Sequence, residues 1–453
     1  MPEQIDLYST TRMSSVFSYE AHVQAMLSFE AALARSEARV GILSREAATH
    51  IEAACKVEHF DVAALYREAL VAGTPAIPLV RMVTAQVEGD AKKFVHWGAT
   101  SQDAIDTAMM LQMRQGLDLL IDDLYSVCTA CARLAEEHRH TLMVGRTLLQ
   151  QAVPITFGLK AARWLALALR QMRMLRTHRE RTLAVQFGGA AGTLASLDQD
   201  GLHIAELLAE DLGLPLPDIP WHTERDRVAE IATSLGIVAG AMAKVAGDIV
   251  LLAQTEIGEV TEGEAHGKGG SSAMPQKHNP VDATNALASA RLAIGEVPVM
   301  LSAMVQEHER AVGGWQAEWV ALPTLFRATA SAVEHVRLAV SGLAVNTQRM
   351  SMNLDMTHGL VMAESLTMAL AQHMGKAEAQ SLVQTVCAQA VKSGTPLREV
   401  AEAEMRIRTL LSPEEIDRAL DPAAYLGSAP LFIDGILASY REVQIARGDA
   451  RIL

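Results

Sequence analysis

The chain has 453 residues, half of them apolar and 4% aromatic, with Ala, Leu and Met abundant, a composition that favours helix over strand. That length exceeds one ordinary hydrophobic core, so two or three domains are expected. A net charge of −14 and a pI near 5.5 exclude general nucleic-acid or anionic-membrane binding and admit an anionic small substrate only where the site itself gathers cations.

At the start, Met1-Pro2-Glu3-Gln4-Ile5-Asp6 has neither a basic stretch nor an apolar signal core. No apolar run reads as long enough to span a membrane, and a soluble cytoplasmic protein is expected. From Ser18 to Val40, Val23, Met26, Leu27, Ala31, Ala34 and Ala38 recur at three- and four-residue spacing, an amphipathic helix that Gly41 ends. Further helices are expected from about Ser44 to Lys56, from Asp61 to Ala72 and, after Gly73-Thr74-Pro75, to about Glu88.

Past His96-Trp97-Gly98-Ala99-Thr100-Ser101-Gln102-Asp103, with Thr100 or Ser101 as cap, the stripe Leu117, Leu120, Ile121, Leu124, Val127, Cys128, Cys131 and Leu134 marks a long helix. A helix of about 30 residues spans about 45 Å, more than a compact domain needs. Cys128-x-x-Cys131 lies on that stripe with no second pair, which reads as core packing rather than a redox or zinc motif. The same pattern recurs from Pro154 to about Ala184, Glu224 to Val260, Val281 to about Met304 and Pro323 to Val345, with breaks at Gly188–Gly192 and Leu214–Pro220. Helices of this length bury their stripes in a bundle and against neighbouring subunits. After about Asp355 they shorten. The expected fold is all-α in three helical domains: 1–107, a central long-helix bundle 108–355, and 356–453.

Three polar interruptions carry the candidate chemistry. In the first, two hydroxyls, Thr100 and Ser101, precede free helical N–H groups, an arrangement able to hold a carboxylate. The second, Gly145-Arg146-Thr147-Leu148-Leu149-Gln150-Gln151-Ala152-Val153-Pro154, separates two apolar stripes, and taken alone its Arg146, Thr147 and Gln150 read as turn residues. In the third, Gly267, Gly269 and Gly270 free the backbone and Pro275 and Pro280 stiffen it, around two hydroxyls, an amine, an imidazole and a carboxamide. That is the composition of an active-site lid. It is not a phosphate loop: Gly263…Gly267-Lys268 is one residue short, and no Ser or Thr follows the lysine. Gly188–Gly192 lacks a dinucleotide fingerprint. Gln306-Glu307-His308-Glu309-Arg310 lacks the spacing of a zinc helix and reads either as a solvated helix end or as a carboxylate-binding or gating segment before Gly313-Gly314-Trp315.

Gly270-Ser271-Ser272-Ala273-Met274-Pro275-Gln276-Lys277-His278-Asn279-Pro280 resembles the signature of the fumarase/aspartase superfamily at every fixed position, and the order of the three interruptions resembles it over essentially the whole chain. Within it, His96–Asp103 resembles the cycloisomerase and adenylosuccinate lyase branch, and His308-Glu309-Arg310-Ala311-Val312-Gly313-Gly314-Trp315-Gln316-Ala317-Glu318-Trp319 resembles the carboxymuconate cycloisomerases. Leu148 stands where most members have a His, and Gln151 where adenylosuccinate lyases have their acid His. The resemblance implies no cofactor or metal, a homotetramer with three subunits contributing to each site, and a small tricarboxylate substrate closed to a lactone by adding a carboxylate across C=C. It makes Ser271 the proton-transfer residue at carbon, with Lys277 and Asn279 as donors to the charge developing on carboxylate oxygens. Substrate contacts are expected from His96, Thr100, Ser101, Arg146, Gln150, Ser272, Met274 and Arg310. With no His at 148, a second acid is dispensable, because a carboxylate is already a competent nucleophile and leaving group. The alternatives are another lyase of the superfamily, such as adenylosuccinate lyase, or a non-catalytic helical scaffold.

Overall fold

The helices begin and end where short polar side chains and glycines dictate. Ser18 Oγ accepts the Ala21 N–H at 3.1 Å, Ser44 Oγ that of Ala47 at 3.1 Å and Asp61 Oδ1 that of Ala64 at 2.9 Å. The helices Tyr19–Val40 and Val62–Ala72 close on Gly41 and Gly73 in the left-handed conformation. The computed structural model describes residues 7–263 and 268–448 and is all-α among them apart from one hairpin and a two-residue antiparallel pairing of Val260–Thr261 with Ala344–Val345. The opening hexapeptide Met1–Asp6 and Gly267 of the signature loop lie outside the described residues.

The chain forms two compact units, each discontinuous in sequence: Met1–Leu124 with Gln171–Ala243 and Asn285–His335, and Tyr125–Arg170 with Lys244–Thr284 and Val336–Leu453. In the first, Val23, Met26, Leu27, Ile51, Leu65 and Val83 build a core that also takes in Ile105 and Trp315. In the second, Leu366, Leu370, Val386, Leu397, Ile407 and Ile416 build another. Ser101–Glu137 is one helix of 37 residues. Its Cys128 and Cys131 form no disulfide and are fully buried, and burial raises the Cys131 thiol well above its ordinary range, which suits side chains that pack in a core.

Three expectations are corrected. The second interruption is not a turn between helices but an antiparallel hairpin, Leu142–Thr147 against Gln150–Thr156, and Pro154 sits in its second strand opposite Val144. The register slips between Val144 and Arg146 at Gly145, where a Cβ would meet the Val153 carbonyl oxygen at 2.7 Å. Helix resumes only at Phe157, with Thr156 Oγ1 accepting the Leu159 N–H. Helix Gly314–Ser341 contains Pro323 rather than starting there. Finally, Asp226–Leu252 and Val281–Ala303 are each long and apolar enough to cross a membrane, with half and one third of their most apolar stretches buried within the chain.

The first unit buries a charged cluster. Arg225, wholly inaccessible, donates to both oxygens of Asp106 (2.7 and 3.1 Å) and both of Glu318 (3.0 and 2.5 Å), and the Trp315 indole N–H reaches Asp106 Oδ1 at 2.9 Å. Two carboxylates out of water demand such a fork, since removing one partner of a buried pair strands the other. Arg225→Met is expected to cost about 3–5 kcal/mol, read as a fall in the urea midpoint. An unchanged midpoint would contradict this account of the cluster.

Candidate active site

In the first unit, the site segment is held by one carboxylate. Asp103, fully buried, accepts from the Thr100 N–H (3.0 Å), the Gly188 N–H (3.1 Å) and the Gly189 N–H (2.9 Å), and its Oδ1 lies 2.8 Å from His222 Nε2. The Asp103 carboxylate therefore satisfies the turn ahead of the helix, and neither Thr100 nor Ser101 spends its hydroxyl as the expected cap. Both hydroxyls are left without a hydrogen bond among the described residues. One residue along, the Gln102 amide donates to Asp106 Oδ2 (3.0 Å) and to the His222 carbonyl (2.8 Å), and its Oε1 accepts Arg310 Nη1 at 3.1 Å.

Arg310 also reaches the Ala190 carbonyl at 2.8 Å. All of its partners are neutral, and among the described residues no carboxylate faces it. Its position is fixed while its charge stays uncompensated, which suits an incoming anion. The segment 306–310 is thus not a plain solvated helix end. It is a loop with His308 at φ 48°, and its arginine comes within hydrogen-bonding reach of the first interruption.

His96 adopts φ 59°, and its Nδ1 lies 2.6 Å from Glu30 Oε1, a carboxylate almost wholly buried on helix Tyr19–Val40. Burial alone would lower the imidazole's pKa. The charge of Glu30 and its hydrogen bond, with a smaller pull from Asp103, outweigh burial and raise it. Glu37, two turns further along that helix, has neither oxygen hydrogen-bonded. Burial first, then the charge of Glu30, pushes its carboxyl up to about 9, so it is neutral at pH 7.

The second unit carries the hairpin and the loop. Arg146 is not a free cation: it grips the fully buried Glu259 with both terminal nitrogens, at 2.9 and 2.7 Å. Asn353 Nδ2 adds a donor to Glu259 at 2.8 Å, and the Gln151 amide binds the Asn353 carbonyl at 3.0 Å. Withdrawing Arg146 toward a ligand would strand Glu259. At the tip, Leu148 and Leu149 both have positive φ, 50° and 62°, where a two-residue turn normally takes Asn-Gly. Leu148 is 97% exposed, and Gln150 beside it makes no hydrogen bond through its side chain among the described residues.

The signature loop is tied at its neck and open at its crown. Glu262 accepts the N–H groups of Asp282 (3.0 Å) and Ala283 (2.7 Å) at the start of helix Val281–Ala303, and Lys268 pairs with Asp282 at 2.5 Å. Asn279 gives both its backbone N–H (2.9 Å) and its amide (3.2 Å) to the Gly269 carbonyl, so its carboxamide closes the neck. Gly269 needs its freedom, since φ is +73° and a Cβ would meet the Asn279 carbonyl oxygen at 2.8 Å. At the crown, Ser271 Oγ accepts the N–H groups of Ala273 (3.3 Å) and Met274 (3.1 Å). Two fixed donors on a serine oxygen are the local means of stabilising an alkoxide. Ser272, Met274 and Lys277 are exposed, and Lys277 makes no ion pair among the described residues.

The structure thus joins His96, Thr100, Ser101 and Arg310 in one unit and places Arg146, Gln150 and the loop residues in the other. The sequence reading missed Glu30, His222 and Glu259 as the groups that hold candidates in place. Each is distant in sequence from the residue it holds and sits in no motif.

A family model described as Lyase matches residues 8–295, and one described as Adenylosuccinate lyase C-terminus matches residues 359–436. The chain is 47% identical to a 3-carboxy-cis,cis-muconate cycloisomerase of Pseudomonas aeruginosa, over 94% of each chain. It is 47% identical to the enzyme of that name from Bradyrhizobium diazoefficiens, over 96% of this chain and 97% of the other. The crystal structure of the 3-carboxy-cis,cis-muconate lactonizing enzyme from Pseudomonas putida superposes with a TM-score of 0.90 at 42% identity, covering 96% of this chain and 98% of that one.

The His96–Glu30 contact is checked by titration. The His96 ring protons are expected to titrate above the ordinary value of about 6.5. Glu30→Gln should move that midpoint down, because burial persists while the attraction is lost. Since the folded-state pKa is raised, the contact's contribution to stability is full below the unfolded-state value and is lost as pH rises through the folded one. A midpoint unmoved by Glu30→Gln would contradict the assignment.

Proposed function

Because the chain belongs to the fumarase/aspartase superfamily, we propose that it acts as a 3-carboxy-cis,cis-muconate cycloisomerase, closing its tricarboxylate substrate to 4-carboxymuconolactone in the breakdown of aromatic acids. It is an enzyme of the lyase and isomerase type that acts on a small molecule. The observation that carries the chemistry is Ser271 Oγ seated on two backbone N–H groups in a loop whose neck is tied shut.

In the reaction one substrate carboxylate oxygen bonds to a carbon of the C=C, and the π electrons move onto the adjacent carbon and its carboxylate. That species is aci-carboxylate-like, with excess charge on oxygen, and the Ser271 hydroxyl then delivers its proton to carbon. The electron count closes without redox change, and the serine recovers its proton from solvent. Lys277 supplies the positive charge beside the developing oxyanion, and one well-placed donor of this kind is worth about 10²–10³ in rate. Asn279 acts at the neck, keeping Ser271 and Lys277 on one closed loop.

Three carboxylates need cationic partners. Arg310 and His96 serve two, with Thr100 and Ser101 as hydroxyl donors, and Lys277 serves the third with Ser272 and Met274 shaping the loop side. Arg146 acts by holding Glu259 and the hairpin that presents Leu148 and Gln150. An apolar side chain at 148 fits this reaction, since the attacking group is a carboxylate and takes no proton from an acid.

The two sets of candidates meet between copies of the chain in a homotetramer. Supporting this are the exposed apolar residues of the long helices, Ile237, Leu292, Ile294, Val299 and Leu301, on helices only partly buried within the chain. A cytoplasmic setting is consistent with four cysteines that form no disulfide.

The purified chain is expected to consume 3-carboxy-cis,cis-muconate in an ultraviolet assay, to leave adenylosuccinate untouched, and to run at about four times 48.8 kDa in light scattering. Ser271→Ala should lower kcat by at least about 10²-fold while the assembled mass is unchanged. Turnover of adenylosuccinate alone, or a fully active Ser271→Ala variant, would overturn the reading.

A further inference from the structure

The first unit contains a cavity of about 480 Å³ that none of the catalytic candidates lines. It lies among the segment Phe17–His22, helix Val62–Ala72, the turn Gly73–Pro75, one face of helix Ser101–Glu137 and residues 318–323. Its size falls within the range of small-molecule sites, about 300–1,000 Å³. Aromatic residues make up only 4% of the chain, yet Phe17, Tyr19, Tyr66 and Trp319 all line this one cavity. Tyr19 and Tyr66 pack ring against ring, with centroids 4.3 Å apart and planes tilted by 45°. Walls of this kind receive a flat ring.

The same walls offer a carboxylate no positive charge. Tyr19, His22, Tyr66 and Glu318 are the ionisable side chains lining the cavity. Burial lowers the His22 imidazole to about 4, so it is uncharged at neutral pH, and burial raises the Tyr66 phenol, which keeps its proton. Glu318 is occupied by three donors, two from Arg225 and one from Gln306. No cation faces the space, so the anionic substrate class of the active site is excluded here on electrostatic grounds.

Hydrogen-bonding capacity remains. His22 Nδ1 and the Tyr66 hydroxyl lie 2.8 Å apart, and in either imidazole tautomer the Tyr66 oxygen retains capacity for a further partner. Pro323 lies inside helix Gly314–Ser341 and has no N–H to give the Trp319 carbonyl four residues earlier, and both residues line the cavity.

We infer that this cavity is a second ligand site, distinct from the substrate segments, for an uncharged aromatic ring bearing a hydroxyl group, with Tyr66 as its polar anchor. The methyl group of Met109, which lines the cavity, gives a local readout in the full chain labelled at its methionine methyls and assigned with Met109→Leu. Three probes separate ring, hydroxyl and charge: 2-naphthol, naphthalene and 2-naphthoate at neutral pH. 2-Naphthol is expected to shift the Met109 resonance saturably and at least about 10-fold more tightly than 2-naphthoate. Tyr66→Phe should weaken 2-naphthol by about fivefold, the worth of one net hydrogen bond, and leave naphthalene unchanged. A Met109 signal that ignores 2-naphthol, a response to 2-naphthoate of equal strength, or 2-naphthol binding unaffected by Tyr66→Phe would each overturn the assignment. None of these results depends on turnover of the substrate.

Discussion

A carboxylate buried out of reach of water must find its hydrogen bonds within the protein, and Asp103 finds four. Three are backbone N–H groups, from Thr100 at the head of the long helix and from Gly188 and Gly189 across the unit, and the fourth partner is His222. Meeting that requirement fixes the turn before the helix and the glycine loop against each other. It also relieves Thr100 and Ser101 of capping. Gln102, one residue earlier, connects this arrangement to Arg310 on one side and to the Asp106–Arg225–Glu318 cluster on the other.

The same rule sorts the candidate residues into those that hold and those that are held. Arg146 and Arg310 look equivalent in a list of cations. Arg146 answers a fully buried carboxylate, Glu259, and is fully engaged, while Arg310 is oriented by a carboxamide and by backbone carbonyls that leave its charge to be used. Asn279 and Ser271 divide in the same way on the loop. The carboxamide locks the neck through Gly269, and the serine oxygen at the crown receives two N–H groups that stabilise negative charge. Leu148 and Leu149 occupy left-handed backbone at an exposed tip, costing on the order of 1–2 kcal/mol each.

Much of this was legible in the sequence, because helical spacing and caps are local. Val23, Met26 and Leu27 declared their helix, Gly41 its end, and the Gly270–Pro280 run its loop. The hairpin was not legible. Leu142-Met143-Val144 and Ala152-Val153-Pro154-Ile155 are too short to show strand alternation, and Pro154 looked like the start of a helix until its pairing with Val144 was seen. Nor could spacing show that the Thr100 and Ser101 hydroxyls are not spent on capping, or that Arg146 is committed. Those facts depend on Asp103 meeting Gly188 and His222 and on Arg146 meeting Glu259, contacts between residues about 85 to 120 positions apart that leave no periodic trace. Pro323 misled for the opposite reason: a helix breaker in isolation, it sits within the long helix Gly314–Ser341.

In the proposed tetramer, Ser271 of one copy works with Arg310 of another on a single substrate. Subunit complementation tests it directly. Ser271→Ala and Arg310→Gln are each expected to be inactive as pure assemblies; mixed in equal amounts and allowed to exchange subunits, they should recover about one quarter of wild-type activity, the random share of sites that receive both native residues. A mixture that stays inactive, although native mass spectrometry shows hybrid assemblies, would contradict the account.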